Sequence, residues 1–337
     1  MTRRIGINGF GRIGRMIFRI LESEPDLEVV AINDLTDPAT LAHLLQFDSV
    51  HGKFGTQIES TDGAILVDGR QVPTSAMREP AKIPWADYGV DLVLECTGVF
   101  RNKASVQGHL DAGANGVILS APAKGDVDTT IVMGVNEDDL DPQTHTVISN
   151  GSCTTNCLAP LVKVLDEAFG LSHGVVTTIH SYTNDQKLLD LPHSDLRRGR
   201  AAALSMVPTS TGAAKAIGLV LPHLAGKLDG IAVRVPTPNV SLVDLVVELK
   251  TKTTREQVLD AFKKAAQGKL NGILAVEERP LVSVDYVGNS HSSIVDADNV
   301  MVMGGRTLKV LSWYDNEWGF SCRMVDLARR FLGGMDA

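Results

Sequence analysis

The segment Ser149-Asn150-Gly151-Ser152-Cys153-Thr154-Thr155-Asn156-Cys157 sets a thiol among small polar side chains, just before an apolar stripe of Leu158, Leu161, Val162, Leu165 and Phe169. A stripe with that spacing predicts a helix starting near the cysteine. At a helix N-terminus the free N–H groups and the dipole favour thiolate over thiol and lower its pKa, so Cys153 is the candidate nucleophile. Pro160 leaves a second placement open, because it can mark a later helix start with Cys153 in the preceding loop. Many cysteines are simply small buried apolar residues; that reading suits Cys157, beside Leu158, better than Cys153.

A thiol nucleophile needs a base to manage protons. His180 closes the strand-like run Gly174-Val175-Val176-Thr177-Thr178-Ile179, and strand ends are where catalytic side chains emerge. His43, His51, His173, His193 and His291 compete for that role. Thr183, Thr211, Arg198 and Arg234 have the chemistry to hold phosphate. Thr209-Ser210-Thr211-Gly212-Ala213-Ala214 reads as the polar start of a helix with N–H groups for an anion, and equally as a plain helix cap. The basic cluster Arg197, Arg198 and Arg200 carries no interleaved aromatics, so it fits a small phosphate, or a solvated patch, better than a nucleic-acid backbone.

A second chemistry is written near the N-terminus. Gly9-Phe10-Gly11-Arg12-Ile13-Gly14 follows a strand-like run and opens a helical one, which puts glycines where a backbone must turn tightly and approach a pyrophosphate. The run 27–33 reads as the next strand and ends at Asp34, about 20 residues further on, where an acid accepts from ribose hydroxyls. A carboxylate there repels a 2′-phosphate, so NAD is expected over NADP, although Asp34 could merely cap the following loop. Thr97-Gly98 and Ser120 lie at the carboxyl ends of expected strands, where open α/β sheets bind ligands.

Elements must hold these groups in place. Apolar strand-like runs alternate with helical patterns: 4–8, a helix over 12–24, 27–33, a helix over 38–47, then 90–95. That alternation predicts a parallel, doubly wound sheet. Residues 56–72 read as a hairpin with Asp62-Gly63 and Asp68-Gly69 turns, and 116–120, 130–134 and 146–149 as further strands. After residue 150, long strands at 173–181, 228–236, 241–250 and 307–314 lack regular crossover helices, the mark of an α+β domain with a largely antiparallel sheet. An amphipathic helix after 317 carries Val325, Leu327, Ala328, Phe331 and Leu332 and is expected to pack back on the first domain. The division is therefore 1–152, completed by the helix 317–337, and 153–316.

Composition excludes several classes. At 337 residues the chain exceeds one typical domain, and 44% hydrophobic with 21% charged residues makes it globular. A net charge of -8 argues against a nucleic-acid binder. No stretch reaches the length of a membrane span, and Thr2-Arg3-Arg4 leads straight into Ile5-Gly6-Ile7 without an apolar signal core, so a cytoplasmic protein is expected. Four cysteines without paired CxxC spacing predict free thiols and no metal site.

Five strings then make a resemblance: IGINGFGRIG at 5–14, SCTTNC at 152–157, HSYTNDQ at 180–186, RVPTPN at 234–239 and WYDNEWG at 313–319. Together, in this order, the chain resembles the glyceraldehyde-3-phosphate dehydrogenase family from end to end. The resemblance implies oxidation of a phosphorylated aldehyde through a Cys153 thioester, with His180 as base and inorganic phosphate releasing an acyl phosphate. It implies Ser152, Thr154, Thr211 and Gly212 at the attacking phosphate, Thr183 and Arg234 at the substrate's own phosphate, and Arg198 in the same region. For NAD it implies Gly9, Gly11, Arg12, Ile13 and Gly14 around the pyrophosphate, Asp34 at the adenine ribose, Arg78 and Ser120 nearby, and Asn316 at the nicotinamide. Leu189-Asp190-Leu191-Pro192-His193 is similar to the NAD-using members. A homotetramer is implied as well, with the 182–204 loop at a subunit interface. Two positions depart from the family pattern: Gly151 where alanine is usual and Phe320 where tyrosine is usual. The similar erythrose-4-phosphate dehydrogenases, which hydrolyse the thioester, are the nearest rival, and a redox-sensing or nucleic-acid-binding role on the same scaffold is a more distant one.

Overall fold

The computed structural model describes residues 2–335, in two compact units. The first runs to Ile131, resumes over Glu137–Gly151 and ends with the stretch from Ser321; the second holds Val132–Asn136 and Ser152–Phe320.

In the first unit β1 (Arg3–Asn8), α1 (Arg12–Leu21), β2 (Leu27–Asn33) and α2 (Pro38–Gln46) follow the expected alternation. α1 stops short of residue 24 because Ser23 and Glu24 donate to the Ile20 and Leu21 carbonyls in tighter turns. The expected hairpin is a three-stranded meander, β3 (Ile58–Thr61), β4 (Ala64–Val67) and β5 (Arg70–Ser75). Its last strand turns parallel to β2, so the excursion rejoins the sheet. After β6 (Leu92–Glu95), α3 (Lys103–Asp111), β7 (Gly116–Leu119), β8 (Thr129–Thr130) and β9 (Val147–Ser149), the sheet order is β3-β4-β5-β2-β1-β6-β7-β9-β8. β1 lies inside the sheet, parallel to β2 and to β6, in a Rossmann-type arrangement. α3 has little apolar periodicity to betray it; Asn102 and Ser105 start it with a reciprocal capping box. The strand expected over 130–134 ends at Thr130, and Val132 and Val135 instead join the second unit's core.

The second unit opens with α4 (Cys153–Phe169), whose N-cap Ser152 accepts from the Thr155 N–H. Pro160 lies inside α4 and does not begin it; its missing N–H leaves one helical bond unmade in a segment buried from Thr154 to Val162. There follow β10 (Leu171–Ser181), β11 (Val207–Ser210), α5 (Ala213–Val220), β12 (Leu228–Val235), β13 (Ser241–Leu249), α6 (Arg255–Gln267), β14 (Leu274–Glu277), β15 (Ser293–Asp296), β16 (Met301–Met303) and β17 (Thr307–Tyr314). The sheet order is β11-β12-β10-β13-β17-β15-β14, with β16 on β17. Its pairings are antiparallel except β10 with β12 and β14 with β15. β13 alternates strictly between buried and half-buried residues, so one face meets the core that α4 lines with Leu158, Leu161, Val162 and Leu165.

Finally α7 (Trp318–Gly334) brings Met324, Val325, Leu327, Ala328, Phe331 and Leu332 into the first unit as buried residues. The Phe331 ring lies so close to Gly116 of β7 that a Cβ there would meet it at 2.6 Å. Arg329 pairs with Asp26 and Glu24, both at 2.6 Å. Residues 336–337 of the expected helix lie outside the described residues.

Candidate active site

The two chemistries belong to different units. In the first, the carboxyl ends of β1, β2 and β6 open on a cavity of about 400 Å³ lined by Asn8, Gly9, Gly11, Asn33, Asp34, Met77, Arg78 and Thr97, among others. Gly9 has φ 91°, and a Cβ there would come within 2.6 Å of the Thr97 nitrogen. At Gly14 a Cβ would sit 2.3 Å from the Gly9 carbonyl, so only glycine lets α1 start against the loop. Gly11 is the N-cap of α1 and makes no side-chain capping hydrogen bond, and a helix N-terminus presents main-chain N–H groups to an anion. These glycine cradles and the helix start fit a dinucleotide pyrophosphate.

Asp34 both caps and lines the cavity: its oxygens accept from the Phe10 N–H (2.7 Å) and the Thr36 N–H (2.9 Å). The Arg12 guanidinium pairs with Asp48 through both oxygens, and that partner holds the Asp48 carboxyl down at about 2 against burial. Arg12 and Ile13 are the first two residues of α1, directly after Gly11. Ser120 donates its N–H to the Glu95 carbonyl and borders Cys96, itself a lining residue.

In the second unit Cys153 is the first residue of α4, and its Sγ lies 3.5 Å from His180 Nε2 at the end of β10. His180 Nδ1 sits 2.7 Å from the Ser181 carbonyl, which can only accept. Arg234 Nη1, which can only donate, also stands 3.1 Å from Nδ1. The shorter contact is the one to the carbonyl, so Nδ1 carries the proton and Nε2 is left as the acceptor facing the thiol. Arg234 of β12 donates to the same carbonyl at 3.0 Å and to Thr183 Oγ1 at 3.3 Å. The parallel register of β10 and β12 pairs His180 with Arg234, which is why the two meet.

Burial and the Arg234 charge push the His180 pKa down to about 3, against the Ser181 bond, so the ring is a neutral base. Burial raises the Cys153 thiol, opposite to the direction expected from the helix start alone; Arg234 and Thr154 oppose the rise without cancelling it. The resting pair is thiol and imidazole, and ionisation of the sulfur depends on proton transfer to Nε2.

The other expected phosphate ligands fall into two groups. Ser152 Oγ bonds Thr155 Oγ1 at 2.7 Å, and Thr154 Oγ1 bonds the Tyr314 hydroxyl at 2.9 Å. Arg198 donates to Asp185 (2.5 Å), Thr209 Oγ1 (2.9 Å) and the Ser210 carbonyl (3.2 Å), beside Thr211 and the α5 N-cap Gly212. Its charge acts on both His180 and Arg234. Asn316 is buried, and its Oδ1 accepts from Ser241 Oγ at 2.7 Å. Gly151 has φ 66°, a conformation in which alanine would be strained, so glycine relieves the turn before the thiol.

Sequence reasoning passed over Tyr314. Its hydroxyl joins Thr154 to Thr178 (2.9 and 2.8 Å), and its ring stands edge-on to His180 at 6.0 Å. The only signal for it was membership of the 313–319 string. Of the rival histidines, His43 packs at a tilt against Phe47, His193 bonds its own loop, His173 is exposed at the other end of β10 and His291 bonds Asn289, so none of these four shares His180's setting.

Comparison with known proteins agrees on both halves. Residues 3–103 match the NAD binding domain, and residues 152–316 the C-terminal domain, of glyceraldehyde 3-phosphate dehydrogenase. The chain is 59% identical over 325 residues to glyceraldehyde-3-phosphate dehydrogenase 1 of Bacillus cereus, covering 96% of this chain and 97% of that one. It is 58% identical over 328 residues to the glyceraldehyde-3-phosphate dehydrogenase of Geobacillus stearothermophilus (97% and 98% covered). With that of Borreliella burgdorferi the identity is 56% over 336 residues (98% and 99%).

Proposed function

The chain belongs to the glyceraldehyde-3-phosphate dehydrogenase family, and from that membership we propose that Cys153 and His180 carry out its NAD-dependent aldehyde oxidation through a thioester. The observation that carries this reading is the 3.5 Å approach of Cys153 Sγ to a His180 nitrogen left unprotonated by the Ser181 bond. His180 Nε2 takes the thiol proton, and the sulfur attacks the aldehyde carbon to give a hemithioacetal. Nε2, having passed that proton to the new oxygen, recovers it as the carbonyl of the thioester reforms. NAD, when bound, supplies the oxidant by accepting the hydride from that carbon. Phosphate then attacks the thioester, the C–S bond breaks, and the acyl phosphate leaves with Cys153 regenerated.

Arg234 and Thr183, hydrogen-bonded to each other beside His180, are assigned to the substrate's phosphate. Ser152, Thr154, Thr211, Gly212 and Arg198 are assigned to the attacking one. Gly9, Gly11, Arg12, Ile13, Gly14, Asp34, Arg78 and Ser120 are assigned to NAD, and Asn316 to its nicotinamide. The NAD-binding part is then 1–152 with the terminal helix, and the catalytic and oligomerisation part 153–316. A homotetramer in the cytoplasm is part of the same reading; among the described residues no helix is long and apolar enough to cross a membrane.

The test is NADH formation from glyceraldehyde 3-phosphate and NAD at saturating and zero phosphate, in the wild type and Cys153→Ser. Phosphate-dependent turnover that the substitution abolishes is expected. Turnover indifferent to phosphate would favour hydrolysis of the thioester, and turnover surviving in Cys153→Ser would remove the cysteine from the mechanism.

A further inference from the structure

A connected web of buried polar side chains runs from the wall of the first unit's cavity, where Asn8 and Asn33 line it, into the core, and none of its members has been assigned to the reaction. Asn33, at the end of β2, is its hub. Its Oδ1 accepts from Ser75 Oγ (2.8 Å) and the Met77 N–H (2.9 Å), while its Nδ2 donates to the Met77 carbonyl (2.9 Å) and to Asn8 Oδ1 (2.8 Å). Asn8, at the end of β1, passes the connection on by donating Nδ2 to Glu95 Oε2 at 2.5 Å. The other Glu95 oxygen accepts from the N–H and the hydroxyl of Thr97.

Beyond Glu95 the web reaches α3 and the deepest core. His109 Nε2 lies 3.2 Å from Glu95 Oε2, and the Trp85 indole N–H reaches His109 Nδ1 at 2.9 Å. An indole N–H can only donate, so Nδ1 accepts and Nε2–H points at the carboxylate: the tautomer is fixed from both sides. Trp85 and His109 are completely buried, and Glu95, Asn8 and Asn33 nearly so.

A carboxylate is expensive to bury unless it is fully hydrogen-bonded, and of the donors to Glu95, Asn8 and Thr97 come from segments that line the cavity while His109 comes from α3. Asn8 precedes Gly9, whose N–H is held by the Asn33 carbonyl at 2.8 Å. The Asp34 N–H is held by the Ser75 carbonyl at 2.9 Å, and Met77 adjoins Arg78. Thr97 is the residue against which Gly9 packs. Four loops that leave four different strands are thus tied to one another by side chains in addition to the last main-chain bonds of the sheet.

We propose that Asn33, Asn8, Glu95, His109 and Trp85 are a positioning network that sets the loop geometry on which NAD affinity depends. The proposal rests on the reading of this cavity as the NAD site. Glu95 is the discriminating position, since a glutamine of the same shape must turn its NH2 toward donors on one side or the other. One arm of the web then breaks with no loss of volume.

Calorimetric titration of NAD into the wild type, Glu95→Gln and Trp85→Phe, with steady-state kinetics on each, tests it. Glu95→Gln should weaken NAD binding about tenfold or more and raise KM for NAD alike, with the loss falling on KM and not on kcat. Trp85→Phe removes the indole N–H together with part of a fully buried ring and should weaken NAD by about two- to fivefold. A heteronuclear spectrum supplies the second readout: the Trp85 indole N–H resonance should move on addition of NAD in the wild type and stay still in Glu95→Gln. NAD affinity within twofold of wild type in folded Glu95→Gln would overturn the proposal, as would kcat falling while KM for NAD holds. If Glu95→Gln does not fold, an unchanged NAD affinity in Trp85→Phe overturns it by itself. A wild type that fails to bind NAD would instead refute the reading of the cavity, which keeps the two failures apart.

Discussion

Cys153 and His180 show how one hydrogen bond decides a chemical role. With Nδ1–H committed to the Ser181 carbonyl, the ring presents a lone pair to the sulfur, and the lowered pKa keeps that lone pair free across neutral pH. Replacing His180 by asparagine leaves a buried thiol with a raised pKa and no acceptor for its proton. Turnover should fall by about 10²–10⁴, read as the rate of NADH formation at saturating substrates. The same variant has a stability signature. Free histidine titrates near 6.5, the folded His180 near 3, so below pH 6.5 the unfolded chain binds a proton that the folded site refuses. Stability is therefore lost as pH falls from 6.5 toward 3, and His180→Asn should lose less over that range, by up to about 1.4 kcal/mol per pH unit. Urea midpoints at pH 7 and pH 4.5 check this; identical slopes in the two proteins would count against it.

Among elements, α1 depends most sharply on single atoms. It starts against β1 only because Gly14 lets the Gly9 carbonyl approach, and Gly9 in turn lets Thr97 approach. Gly14→Ala should push the helix start away from the loop and weaken NAD binding by at least tenfold, with a loss of about 1–3 kcal/mol in stability. Titration of NAD followed by tryptophan fluorescence would reveal it, and wild-type affinity would mean the loop can absorb the Cβ. The contrast with α3 is instructive. The α1 start was readable because glycine spacing is a direct consequence of backbone approach, whereas α3 buries only Val106 and His109 and is fixed by a cap and by contacts distant in sequence. Likewise β8 stopped early because Val132 and Val135 find a better apolar environment in the other unit, a competition no local pattern expresses.

At the scale of the whole molecule, the last helix closes a unit that began more than 300 residues earlier, as the Arg329–Asp26 pair shows by its separation of 303 residues. Phe331 is buried to 1% exposure against Gly116, so Phe331→Ala should cost about 3–5 kcal/mol and lower the thermal midpoint of the first unit by several degrees. Scanning calorimetry with and without NAD would locate the loss, since only the NAD-binding unit should regain stability from the ligand.

Spacing along a single segment therefore reveals what is local and chemical. The glycine fingerprint, Asp34 at a strand end, the thiol at a helix start and the amphipathic stripe of α7 all follow from spacing along one segment, and a resemblance over five strings completed the site assignments. Tertiary structure alone decided the rest. It took the register of β10 on β12 to bring Arg234 to His180, and burial to reverse the direction of the Cys153 pKa. Tyr314 between Thr154 and Thr178, and the web from Asn33 to Trp85, join residues far apart in the chain. Their roles come from desolvation and from which donors meet which acceptors, quantities that exist only once the strands are paired and the core is closed.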